Sequence, residues 1–273
     1  MSFYQRQRGV ALITALLVMA LAVVAAVGMA MRGQADIRRT SAVFERDFSR
    51  QIALGAENMV LQLLERAKGP EDLLWDTCRS PVLPFEVDGV RLEATLDDMR
   101  CRYNLNALAG AEEAEEAEQA EQADFARLVD QVGQESGVRM PPGAQLAMAV
   151  TDWMNTESDD PIYRLETPAR VSGNRAMLVA SELNSVAGMT AEAWQALAPY
   201  VTAYPGNASP IDLERSSELM QQVFADRPMG EDASWHMRLQ IVAQFANRRF
   251  YQCTLLDAPN GIVVLREQTA CEP

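Results

Sequence analysis

A chain of 273 residues is long enough to bury a sizeable core and to divide into more than one subdomain. Its 38 acidic residues against 24 basic ones leave a net charge of −14 and a pI near 4.6. That balance excludes the basic face that nucleic-acid binding requires and suits a soluble extracytoplasmic part or a cation site.

From Val10 to Met31 no residue is charged. The run is about 22 residues long, and a helix needs roughly 20 to cross a bilayer core. A secretory signal carries an apolar region of only about 7–15 residues before a small-residue cleavage site, and here Arg32 follows with no such box. Arg6, Arg8 and the amino terminus precede the run, and Arg32, Arg38 and Arg39 follow it with Asp36 among them, so positive charge does not settle the orientation. Beyond Met31, apolar residues recur at Ile37, Val43, Phe44, Phe48, Ile52, Leu54, Met59, Val60, Leu63 and Leu64. Spacings of three and four mark one helical face, and Gly69-Pro70 ends the pattern. The expectation is one helix over about Val10 to Arg66, its first half in lipid and its second half amphipathic against a soluble domain.

A short basic leader ending in Arg8-Gly9, before a spanning segment that continues as an amphipathic helix, resembles the type IV prepilins and pseudopilins. The resemblance implies cleavage by a prepilin peptidase after Gly9, with Val10 as the first mature, N-methylated residue. Most members carry Glu at the fifth mature position, where this chain has Thr14. A free ammonium in lipid is costly unless paired, and Thr14 cannot neutralise one. The resemblance therefore implies a subunit with no neighbour above it, as in the K-type minor pseudopilins of type II secretion. The alternative is a plain signal anchor whose Arg-Gly is accidental.

Cys78, Cys101, Cys253 and Cys271 form no C-x-x-C pair, which weakens zinc and thioredoxin-like readings. An even count after an export segment suggests disulfides in an oxidising compartment. Three pairings are possible. Cys253–Cys271 and Cys78–Cys101 are favoured because each joins nearby segments, and a loop of the first size is worth about 3 kcal/mol. Four reduced thiols are the alternative. Disulfides would place the bulk of the chain in the periplasm and settle the orientation of the span.

Between Phe85 and Asn106, Val90, Leu92, Ala94 and Leu96 alternate with polar residues after the tight-turn pair Asp88-Gly89. This predicts a β-hairpin and a third extended piece. The stretch from Leu96 to Leu108, containing Asn104-Leu105-Asn106, resembles a K-type segment. Ala111 to Phe125 is low in complexity and rich in Ala, Glu and Gln. It reads as a solvated helix extension or a disordered acidic insert. Ala144 to Met154 predicts a short amphipathic helix, followed by an irregular polar loop holding Pro161, Pro168 and Gly173. Ser181 to Pro205 reads as helix, turn at Gly188, helix, with Thr190 as N-cap. That helix-hairpin-helix pattern lacks the basic residues that would touch phosphates. Pro210 to Leu213 is strand-like, and a further helix reaches Phe224. Strands return between Ser234 and Gln268, with turns at Ala246-Asn247 and Pro259-Asn260-Gly261.

Strands separated by a helical block predict an α+β fold: a long N-terminal helix packed on an antiparallel sheet, the pseudopilin fold, with a large all-α domain inserted between strands. The expected divisions are a leader at 1–9, a transmembrane segment at 10–31, its amphipathic continuation at 32–66, a first part of the sheet domain at 67–106, the all-α insert at 107–205 and the C-terminal part of the sheet at 206–273. The order, the Asn-Leu-Asn segment, Asp152-Trp153, the motifs from Ser181 to Thr202 and the C-terminal strands are together similar to the general secretion pathway protein K family.

No catalytic constellation assembles around the single histidine, His236, and no Gly-rich phosphate loop occurs. Asp152, Glu157, Asp159 and Asp160 lie close together with Asn155 and Ser158. Oxygen ligands at that density suit calcium, which takes 6–8 of them, or form only an acidic surface loop. K-type proteins bind calcium in a loop after Asp-Trp; here the loop is shorter and lacks the usual Asp-Gly-rich stretch. Val10, Thr14, Phe44, Phe48 and Ile52 are the expected assembly residues. The resemblance implies a single-pass inner-membrane protein with no catalytic step. Its implied partners are I- and J-type minor pseudopilins, the prepilin peptidase, the pseudopilus with its inner-membrane assembly platform, and secreted substrates. The competing expectation is a membrane-anchored periplasmic receptor with an uncleaved anchor.

Overall fold

A computed structural model of the chain describes residues 7–67, 75, 77–109, 115–156, 161–165, 171–227, 235–245 and 248–272. The chain divides into two compact units, Met1–Gln51 and Ile52–Pro273. Helix α1, Gln7–Arg66, runs through both. In the first unit it is long and apolar enough to cross a membrane. Leu12, Leu16, Val23, Val27 and Met31 stand exposed there, as side chains facing lipid would. Further along, Phe44 and Phe48 stack in parallel, 5.8 Å between ring centroids.

The second unit is built on a five-stranded antiparallel sheet in the order β1-β2-β5-β6-β7. Strands β1 (Leu83–Val87) and β2 (Val90–Asp98) form the expected hairpin. Its turn needs two left-handed residues, and Asp88 (φ 50°) and Gly89 (φ 79°) supply them. Strands β5 (His236–Phe245), β6 (Arg248–Asp257) and β7 (Ile262–Glu267) complete the sheet. Period-two alternation sends Leu92, Ala94 and Leu96 to the buried face opposite Ala243, Ile241 and Leu239. Ala53, Ala56, Val60 and Leu64 of α1 are buried at spacings of three and four.

Between β2 and β5 the chain builds a helical insert. Its helices are α2 (Glu115–Ser136), α3 (Gly143–Met154), α4 (Pro161–Leu165), α5 (Ala191–Leu197) and α6 (Glu218–Phe224). Helices α2 and α3 cross closely at Gly143, where an added Cβ would sit 2.2 Å from the Ala126 carbonyl oxygen. The Gly143 amide donates to Asp130 Oδ1 at 3.0 Å.

The insert departs from the sequence expectation in five ways. It is not purely helical, because the third extended piece shrinks to β3 (Tyr103–Asn104), which pairs in parallel with β4 (Val201–Thr202). Its edges are wider than 107–205: Tyr103, Leu105, Ile211, Leu219, Met220 and Phe224 all join its apolar core. Pro210 to Leu213 is no strand, because Ile211 turns into that core and the Asp212 amide bonds the Arg100 carbonyl at 2.9 Å. The polar loop after α3 contains α4, opened by Pro161, whose missing amide costs nothing at a first helical position. The first limb of the predicted helix pair is a 3-10 turn, Ala180–Ser185. It is followed by left-handed Gly188 (φ 88°) and the Thr190 cap, whose hydroxyl accepts from the Ala193 amide at 3.1 Å.

Candidate functional site

Gly9 and Val10 lie within the first turns of α1. Thr14 is exposed, and its hydroxyl donates to the Ala11 carbonyl at 3.0 Å. That bond satisfies the hydroxyl inside the helix and leaves nothing that could balance a neighbouring ammonium. In the first unit Ile37, Val43 and Phe44 are exposed, Phe44 by 63%, with Phe48 half-buried beside it. In the second unit Met59 and Leu63 are exposed and Ile52 is half-buried. Exposed apolar side chains at helical spacing mark a face made for another apolar surface.

The residue the sequence reading missed is Glu57. It sits in the stripe of Ala53, Ala56, Val60 and Leu64, 1% exposed. Its carboxylate accepts from Gln252 Nε2 at 2.7 Å, Thr254 Oγ1 at 2.8 Å and Arg266 Nε at 2.9 Å, and also from Arg266 Nη2. Four donors satisfy a buried carboxylate, and the Glu57 hydrogen bonds hold the Arg266 guanidinium above its ordinary value. The lock ties α1 to β6 and β7. The signal was partial: Glu57 stands three residues before Val60 and seven before Leu64, on the helical face those two residues mark.

The junction of sheet and insert is polar and buried. Asn104 Nδ2 donates to the carbonyls of Gly206 at 3.2 Å and Ala208 at 3.0 Å, while its Oδ1 accepts from the Tyr204 amide at 3.2 Å. Asn106 bonds both the amide and the carbonyl of Met177, at 2.8 and 2.9 Å, and the Tyr204 carbonyl at 2.8 Å. Two asparagines thus close the two ends of the insert on each other. Beside them Asp98 is bonded by Arg100, at 2.8 Å from Nη2, and by Arg215. Burial pushes the Asp98 carboxyl up, but Arg100 and then Arg215 outweigh it and hold it below its usual 3.8. Asp97 meets Arg79 at 3.3 Å, Arg238 at 3.1 Å and Arg102 at 3.9 Å. Burial, and next the charge of Arg238, push Arg102 down to about 10.

A model of the family described as "Type II secretion system (T2SS), protein K" matches residues 101–206. Type II secretion system protein K of Klebsiella pneumoniae is 31% identical over 209 residues, 72% of this chain and 63% of that protein. Its namesake in Pectobacterium carotovorum subsp. carotovorum is 28% identical over 94% of this chain and 82% of that protein. The chain belongs to the type II secretion system protein K family. A chain in the crystal structure of the GspK-GspI-GspJ complex from enterotoxigenic Escherichia coli shares the fold, with a TM-score of 0.67 at 17% identity, over 85% of this chain and 99% of that one.

In this K-family chain the matched segment opens at Cys101, bonded to Cys78, and ends at Gly206, whose carbonyl the Asn104 side chain holds. The second disulfide joins Cys253 to Cys271. The acidic run is not wholly solvated. Glu121 accepts from Tyr103 Oη at 2.9 Å and pairs with Arg227, which also reaches Asp124 at 2.8 Å, because α2 turns these carboxylates toward α6. Residues 110–114 lie outside the described residues.

Asp152 is exposed near the end of α3, beside an apolar groove of about 420 Å³ lined by Pro141, Met148, Tyr163 and Gly188. Glu157, Asp159 and Asp160 lie outside the described residues. Among the described residues no three His, Cys, Asp or Glu side chains gather to hold a metal, and Asp152 alone is no calcium site. His236 is buried and stacks on Tyr204, 4.5 Å between ring centroids. Burial lowers its pKa, with Asp257 acting in the other direction.

Proposed function

We propose that this K-family chain is a minor pseudopilin at the tip of the type II secretion pseudopilus, where it promotes pseudopilus initiation and the export of folded proteins across the outer membrane. The observation that carries the reading is Thr14: an uncharged, internally satisfied residue on a helix able to span a membrane, where a subunit with a neighbour above it would need a carboxylate. By likeness to the K–I–J complex, its partners are the I- and J-type pseudopilins, and the exposed face of α1 carrying Ile37, Val43 and Phe44 suits their helices. Two disulfides favour a periplasmic bulk on a single inner-membrane anchor. The role is assembly, without a catalytic step. The helical insert would crown the tip, open to secreted substrates.

The test is the N-terminal residue and intact mass of the membrane-extracted protein, in cells with and without a prepilin peptidase. A start at Val10 that depends on the peptidase, and that is lost in Gly9→Ala, supports the reading. A start at Met1 or Ser2 in both strains leaves an uncleaved anchor and removes the tip subunit. Calcium at Asp152, Glu157, Asp159 and Asp160 is a separate proposal: titration with no heat and no change in melting temperature removes it.

A further inference from the structure

The last residues of the chain touch both halves of the second unit. Gln240, Cys253 and Glu267 are cross-strand neighbours on β5, β6 and β7. They lie one residue out of step with Gln252 and Thr254, which bond Glu57 of α1. Successive side chains point to opposite faces, so this row occupies the sheet face turned away from α1. The tail folds back over it. Cys271 is bonded to Cys253, and the Cys271 amide donates to Gln240 Oε1 at 3.2 Å. The next side chain, Glu272, reaches the insert. Both its carboxylate oxygens accept from the Ser181 amide, each at 3.2 Å, at the start of the 3-10 turn Ala180–Ser185. A cavity of about 40 Å³ remains beneath, walled by Val179, Ala180 and Ala203 of the insert and by Arg238, Leu255 and Glu267 of the sheet. It has room for about one water.

We propose that the C-terminal tail is a strap, fixed to the sheet by the Cys253–Cys271 bond, that fastens the helical insert to the sheet face opposite α1. Neither part needs the tail for its own integrity. The sheet has a ten-pair ladder between β5 and β6 and the Glu57 lock on its other face. The insert has its own apolar core and the Asn104 and Asn106 closures. Like the Cys78–Cys101 bond, the strap can be opened by a thiol reagent. A dithiol reduces the bond with two electrons, the S–S bond breaks, the two cysteines each take up a proton, and the dithiol leaves as its own disulfide. Glu272 is then no longer held over Ser181.

Hydrogen exchange on the full-length protein in detergent tests this, read over 178–185 and over β5 and β6. Cys253→Ser/Cys271→Ser is expected to exchange about tenfold faster over 178–185 with β5 and β6 still protected. Glu272→Gln, which keeps the disulfide, is expected to show a smaller rise in the same place. In Cys78→Ser/Cys101→Ser, where only the tail bond remains, dithiothreitol should reproduce the loosening. Unchanged exchange over 178–185 in the first two variants overturns the proposal. So does parallel loss of protection in β5 and β6, because the bond would then support global stability and not a strap.

Discussion

Asp98 has no solvent-exposed side-chain surface and lies between two guanidiniums, so its charge is the one the junction depends on. Its folded pKa is depressed, so the stability it contributes is present above the unfolded value of 3.8 and is lost as pH falls below it through the folded value. Asp98→Asn should therefore flatten the acid side of a plot of melting temperature against pH. At pH 7 it should cost about 1–3 kcal/mol, because Arg100 and Arg215 lose the Asp98 charge and keep only that of Asp212, at 3.7 and 2.7 Å. Glu267 behaves with the opposite sign. Partial burial, and next the charge of Glu272, raise its carboxyl. It is accommodated best when protonated, and stability falls as pH rises through its folded value. Glu267→Gln should raise the melting temperature slightly at neutral pH and leave it unchanged at pH 3; a fall at neutral pH would contradict this. None of this was legible in the sequence. Arg100 stands two residues from Asp98, but nothing local marks the pair, and Arg215 and the carbonyl partners of Asn104 stand about a hundred residues away.

At the scale of elements, α1 was legible along its length and its buried face only in part. The apolar period pointed to Ile52, Leu54, Met59, Val60, Leu63 and Leu64, of which Val60 and Leu64 are buried; the rest of the inward face is Ala53, Ala56 and Glu57. Alanines let a helix approach a sheet closely but contribute little apolar signal. The other large side chains were left for the outer face. Glu57→Ala should cost about 3 kcal/mol in urea denaturation, since it takes the acceptor from the buried Thr254 hydroxyl and from Arg266 and leaves Gln252 Nε2 only Thr254 Oγ1, at 3.2 Å. A cost below about 0.5 kcal/mol, the size of an ordinary surface change, would show that the helix does not rely on this lock. Gly143 fixes a second pairing. Its added methyl would meet backbone, which cannot rotate away, so Gly143→Ala should push α2 from α3 and cost about 1–3 kcal/mol. The same change at Gly89 meets no neighbouring atom and would act only through the backbone of the turn. Strands β5, β6 and β7 and the Asp88-Gly89 hairpin were readable because alternation and turn chemistry are local. The 3-10 turn and the segment around Ile211 were not, because long-range burial decides them.

For the whole molecule, the order of strands, helices and strands carried the α+β architecture, since β2 finds its partner β5 across the entire insert. It misplaced both edges: Tyr103 and Leu105 precede the expected start, and α6 returns to the insert after the expected end, where Phe224 stacks on Tyr103 at 5.9 Å between ring centroids. The same distribution of burial separates anchoring from folding. The fully buried apolar side chains begin at Ala53, all four cysteines lie beyond it, and the apolar residues from Leu12 to Met31 contribute no core. A chain beginning at Arg32 should therefore be soluble without detergent. Its net negative charge helps here. It should melt cooperatively and give an intact mass short of the reduced value by two hydrogens for each of the two disulfides. Circular dichroism and mass spectrometry together decide this. A truncated chain that is helical but melts without cooperativity would mean that residues 1–31 complete the fold, and their exposure would then need another cause than lipid.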